Sequence, residues 1–155
     1  MADFEIAVGL TLKYEGGFSD NPADPGGATN MGVEQRDLPD VPIRELTVEQ
    51  AKAYYQEAYW KPLYSQIVSQ PIANKIFDLG VLFGVGTAVS ILQLTLSLKT
   101  DGQFGLVTLA AVNAAEPNSL LEKYKVNLVT HAFNVATAKP ATRVFLKGWS
   151  TRINS

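Results

Sequence analysis

Residues 17–32 hold four glycines, two prolines and a cluster of Asp, Asn, Ser and Thr. No regular helix tolerates that composition, because glycine leaves the backbone too free, and proline removes a donor and clashes with the preceding turn. The segment is expected to fold as turns, with room for a short hairpin. The sequence on either side is helical in pattern, so the chain reads as a helical body interrupted early by one irregular lobe. Loops of this length in compact domains are more often functional than decorative.

Before the lobe, Phe4, Ile6, Ala7, Val8, Leu10, Leu12 and Tyr14 recur closely enough for a helix over Asp3 to Tyr14 buried on more than one side. The pair Gly16-Gly17 supplies its C-terminal stop and leaves Glu15 at a helix end. After the lobe, Thr47-Val-Glu-Gln50 has the form of a capping box and opens a helix through Tyr54, Tyr55 and Tyr59 that stops before Pro62. A second apolar run starts at Pro71 and passes Gly84 and Gly86 to reach Leu98, which predicts two buried helices joined at the glycines. Asp101-Gly102 is a turn, Leu106 to Ala115 a short helix, and Pro117 the first turn of a longer one through Leu120, Leu121, Tyr124, Leu128 and Phe133. Pro140 starts a last helix ending near Trp149. The expected class is mainly α, with six to eight helices in a single domain spanning 1–155 and no internal repeat.

Composition excludes several functions. With no cysteine and His131 as the single histidine, a catalytic thiol is ruled out and the usual soft ligands for zinc or iron are missing, so no cofactor is expected. A formal net charge of −2 argues against sequence-independent attraction to nucleic acid. Asp3 and Glu5 stand where a secretory signal would carry Lys or Arg. The longest apolar candidate, Gly80 to Leu98, contains Thr87, Ser90 and Gln93 and falls short of the roughly 20 apolar residues that span a bilayer. A monomer without membrane insertion is expected.

Glu15 is the first candidate for chemistry. Tyr14 and Phe18 beside it can exclude water, which favours the proton-carrying carboxyl of a general acid. The plainer alternative is a solvated glutamate before a glycine cap, and on position alone that alternative is the better one. Asp24 follows in Asn21-Pro-Ala-Asp-Pro-Gly-Gly27, where an Asx turn explains it equally well. Thr29 and Asn30 can hold a water or a sugar amide, and both also suit a loop for local reasons. Asp78 and Gln93 lie inside apolar helices; a buried acid needs partners, so Asp78 is tied to a neighbour or faces a cleft. His131 reads as a hydrogen-bonded structural residue. Of Tyr54, Tyr55, Tyr59, Trp60 and Tyr64, most are core, and one or two line a sugar-stacking wall.

The segment Tyr14-Glu-Gly-Gly-Phe-Ser-Asp-Asn-Pro-Ala-Asp-Pro-Gly-Gly-Ala-Thr-Asn-Met-Gly-Val33 resembles the signature of the glycoside hydrolase family 108 N-acetylmuramidases, a lysozyme-like group including phage endolysins and secretion-linked bacterial muramidases. The resemblance continues through Tyr59-Trp60, Pro71-Ile-Ala73, Phe77-Asp78, Gly80-Val81, Gly84, Leu92-Gln93, Asp101-Gly102, Gly105, Thr108, Lys147-Gly-Trp149 and Arg152. It implies a lysozyme-like helical domain with a small irregular or β-hairpin lobe after the first helix. Residues 1–70 would then hold the catalytic lobe, and 71–155 the helical body that resembles a peptidoglycan-binding region.

The resemblance further implies that Glu15 is the catalytic acid and that bacterial peptidoglycan is the partner, cut at the β-1,4 bond between N-acetylmuramic acid and N-acetylglucosamine. The spacing of Glu15, Asp24 and Thr29 is similar to the Glu, Asp and Thr arrangement of phage lysozymes, which gives Asp24 and Thr29 the role of holding the attacking water. Inversion is expected if that water fits between the carboxyls, and retention at shorter range. Asn30, Tyr59, Asp78 and Gln93 are the expected substrate contacts. Two departures stand out: Glu34 where the family carries Thr or Ser, and Leu82 where it carries Asn, both expected near the cleft. The competing classes are a binding or virion module without turnover, and a lytic transglycosylase. The expected setting is a phage-host cytoplasm, with the wall reached after holin-type release.

Overall fold

The structure is a computed structural model that describes residues 1–20 and 27–155. Its described residues form seven α-helices and one two-stranded antiparallel sheet. Helix α1 (Phe4–Thr11) starts at Asp3, whose carboxylate accepts from the Glu5 N–H at 2.7 Å. Phe4, Ala7, Val8 and Thr11 form its buried stripe at helical spacing. The helix is shorter than its apolar pattern suggested. Beyond Leu12 the backbone tightens to three-residue turns, Lys13 N–H to the Leu10 carbonyl and Tyr14 N–H to that of Thr11, so Glu15 lies past the helix rather than at its last turn. Gly16 and Gly17 are not in the left-handed conformation, and neither forms the expected glycine stop.

The lobe holds the hairpin β1 (Thr29–Asn30) and β2 (Val33–Glu34), with Thr29 opposite Glu34 and Asn30 opposite Val33. Met31 and Gly32 both take positive φ, +49° and +75°, as a two-residue turn matched to strand twist requires. Ser19 pairs with Thr29 through reciprocal backbone bonds of 2.8 and 2.7 Å.

Helix α2 (Val48–Tyr59) opens with the predicted capping box, Thr47 and Gln50 satisfying each other's backbone N–H. Helices α3 (Gln70–Phe83) and α4 (Val85–Thr95) meet at Gly84, whose φ of +91° is the break read from the sequence. Helix α5 (Leu106–Ala114) precedes the long α6 (Pro117–Ala138), which buries Leu120, Tyr124, Leu128, Ala132 and Ala136 as one stripe four residues apart. Pro140 starts a 3₁₀ turn, not a helix; the last helix, α7 (Leu146–Asn154), continues past the expected end at Trp149 and buries Arg152 and Ile153.

Two cores result. Phe4, Ala7, Val8, Val33, Ile43, Ala51, Tyr55 and Phe77 fill the one beneath the hairpin. Ile72, Ile76, Leu79, Ala88, Leu92, Leu109, Leu128 and Ile153 belong to the larger one in the helical body. Helix α3 serves both, giving Phe77 to the first and Ile76 to the second, and so holds the lobe against the body.

Candidate active site

Thr11, on the buried stripe of α1, donates its hydroxyl to Asp78 Oδ1 of α3 at 2.8 Å. The same carboxylate receives the Arg152 guanidinium from α7, Nη2 to Oδ1 at 2.9 Å and Nε to Oδ2 at 3.0 Å. Arg152 Nη2 then reaches Glu15 Oε1 at 2.9 Å. One buried guanidinium thus joins two carboxylates that arrive from different parts of the chain. Burial works against its charge, but the hydrogen bond and charge of Asp78, with the charge of Glu15, outweigh burial and raise its pKa above the ordinary value. A planar fork can hold two acceptors in fixed directions, which an ammonium cannot.

The second Glu15 oxygen lies against the hairpin turn. A Cβ at Gly32 would stand 2.5 Å from both Glu15 Oε2 and the Tyr55 hydroxyl. Glycine is required there twice over, by this approach and by its positive φ. Tyr55, from α2, donates to the Met31 carbonyl at 2.9 Å and props the turn from below. Burial, followed by the Glu15 charge, pushes its hydroxyl well above the usual tyrosine range, so it stays a donor.

Glu15 opens onto a cleft of about 330 Å³ lined also by Gly32, Glu34, Tyr54, Tyr55, Tyr59, Val81, Leu82 and Arg152. Glu34 and Leu82, the two departures from the family pattern, both face it. Glu34 is ion-paired with Arg36. Tyr14 and Phe18 each carry a cation on their rings, Arg152 at 5.2 Å and Arg44 at 4.2 Å from the ring centres.

The structure brings together only part of the residue set read from the sequence. Glu15 and Tyr59 share the cleft. Asp24 lies outside the described residues. Thr29 stands opposite Glu34 in the hairpin without lining the cleft, and Asn30 turns its amide inward to the Ile43 carbonyl at 3.0 Å. Asp78 is 6% exposed and spends its oxygens on Thr11 and Arg152; its link to the cleft runs through Arg152. Gln93 has a different place: its amide bonds Asp101 Oδ1, the Gln103 carbonyl and the Thr108 hydroxyl while its carbonyl accepts from the Asp101 and Gly102 N–H groups, pinning the turn before α5. Of the aromatic run, Tyr54, Tyr55 and Tyr59 line the cleft, and Trp60 and Tyr64 pack in the core. His131 packs edge-on against Phe83, and burial lowers its pKa.

Arg152 and Gly32 were quoted in the family pattern without a role. The signal for Arg152 was present: a carboxylate at Asp78 inside an apolar helix demands a cation, and Arg152 sits beside Ile153 in the last helical run.

A helical body and a hairpin lobe, with Glu15 held by Arg152 and Glu34 by Arg36 at the cleft between them, fit the frame of a lysozyme-like glycoside hydrolase. The glycosyl hydrolase 108 model matches residues 8–84, a predicted peptidoglycan domain matches residues 87–154, and the chain belongs to that hydrolase family. It is similar to a solved structure described as that of Brucella abortus SagA, with 28% identity and a TM-score of 0.80 over 97% of this chain and 89% of that one. No curated protein matches the chain. Peptidoglycan is the partner these matches support.

Proposed function

We propose that the chain is an N-acetylmuramidase, in which Glu15 protonates the glycosidic oxygen between N-acetylmuramic acid and N-acetylglucosamine. The observation that carries this reading is the asymmetric hold on Glu15: Oε1 is fixed by Arg152, while Oε2 lies at the Gly32 turn in the cleft. A general acid needs a fixed direction and one oxygen left to carry the proton. Tyr59 offers a ring edge for a sugar face, and the half-buried Leu82 an apolar contact.

In this reading Asp24 and Thr29 hold the attacking water, and the reaction inverts the anomeric centre. The support for these two roles is the similarity of their spacing from Glu15 to the Glu, Asp and Thr arrangement of phage lysozymes, with one residue fewer between the last two. The reading extends to a monomeric phage lysin that reaches the wall from the host cytoplasm after holin-type release, supported by the resemblance to phage endolysins. Mass spectrometry of digested peptidoglycan tests the chemistry: reducing muramic acid ends are expected, and anhydro-muramyl ends would make the enzyme a lytic transglycosylase instead.

A further inference from the structure

Helix α2 presents one face to the cleft and another to a second hollow. Tyr54 and Asp37 line both. The second hollow, about 500 Å³, is lined by Leu38, Val41, Ala53 and Ala58 with Gln50 and the carboxylates of Asp37 and Glu57, and no Lys or Arg lines it among the described residues. Of the cations close in sequence, Arg36 pairs with Glu34 and Lys52 with Glu5, while Lys61 donates to the carbonyl of Ala58, a residue of the groove itself, rather than to Asp37 or Glu57. The Tyr54 hydroxyl donates to Asp37 Oδ2 at 3.2 Å and fixes one of the two acids at the boundary between the hollows.

We infer that this groove takes the stem peptide of peptidoglycan, with the ammonium of its diamino acid between Asp37 and Glu57. The inference rests on the muramidase reading only for the polymer that occupies the cleft. A glycan lying there carries a peptide on the lactyl group of each muramic acid, and that peptide must leave sideways; the groove shares Tyr54 and Asp37 with the cleft and so lies beside it. The apolar groups are methyl, isopropyl and isobutyl, which suit alanyl methyls and the methylene chain of a diamino acid better than the hydroxyls of a sugar ring. The acids then meet the one cationic group the stem carries.

The test uses the full chain and a stem tetrapeptide acylated at its first alanine as in the polymer, with meso-diaminopimelate at its third position and D-alanine at its end, titrated by NMR and calorimetry. Shifts at Ala53 and Glu57 are expected. Acetylation of the side-chain amine and the exposed Glu57→Gln substitution should each weaken binding by about two- to fivefold, the range of an exposed charge pair, and together no more than either alone. Glu15→Gln should bind the peptide as the unaltered chain does. Peptide binding by the unaltered chain with no release of reducing ends from peptidoglycan would remove the muramidase reading and leave the groove. Equal binding of the acetylated peptide, or shifts confined to the Glu15 cleft, would overturn the inference. So would a Glu57-dependent preference for peptide-free glycan with unacetylated glucosamine, which would assign the acids to a sugar amine.

Discussion

Gly32 stands where backbone geometry and chemistry meet. Its φ of +75° closes the hairpin, and the space a side chain would fill holds Glu15 Oε2 and the Tyr55 hydroxyl. Gly32→Ala should therefore cost ~1–2 kcal/mol of stability from the left-handed backbone alone, while displacement of the acid lowers turnover by about a hundredfold. Thermal unfolding and kcat measured on one preparation check that the second effect exceeds the first. Arg152 carries a different test, because it neutralises the buried Asp78 as well as anchoring Glu15. Arg152→Met strands that carboxylate and should cost about 3–5 kcal/mol in urea unfolding. Adding Asp78→Leu removes the stranded charge and should return most of the stability but none of the activity, since Glu15 still lacks its anchor. Glu15 stands out in the sequence through the family signature, whereas the guanidinium that fixes it comes from α7, far along the chain.

At the scale of elements, strong punctuation was legible and weak punctuation was not. The Thr47 box, Gly84 and Pro117 each impose a conformation through their own chemistry, and each marks the boundary expected of it. The end of α1 was misjudged because apolar residues continue past Thr11 into tighter turns, and Pro140 opens a 3₁₀ turn because proline excludes only what precedes it. Lys75 ties α3 to α7, donating to the Arg152 carbonyl at 3.0 Å from a buried position. Burial pushes its ammonium down to about 8 from 10.5, with the Asp78 charge acting the other way and Lys125 and Arg152 adding to burial. Between those two values the unfolded chain holds this proton and the folded chain has shed it, so stability rises with pH across the window. Above pH 10 the Tyr54 and Tyr55 hydroxyls, kept protonated in the fold chiefly by burial, reverse the slope. The urea midpoint should climb from pH 8 to about 10, and Lys75→Met should flatten that climb.

Across the whole molecule, the two family matches meet between Gly84 and Gly86, yet the larger core draws Ile72, Ile76 and Leu79 from one side and Ala88, Leu92, Leu128 and Ile153 from the other. The cleft repeats that division, with Glu15 and Gly32 from the first match and Arg152 from the second. The helical class was readable because it rests on local pattern; the groups that hold Glu15 were not, because they depend on how α1, α3 and α7 close on one another. Glu15→Gln leaves the Asp78–Arg152 pair in place, so it removes the proton donor with little cost to the fold. Release of reducing ends from purified peptidoglycan, by the unaltered chain and by Glu15→Gln with matched unfolding curves, tests the account most directly. The account predicts hydrolysis by the first and at least a thousandfold loss in the second, on the order of what removal of an essential acid produces; equal release by both would contradict it.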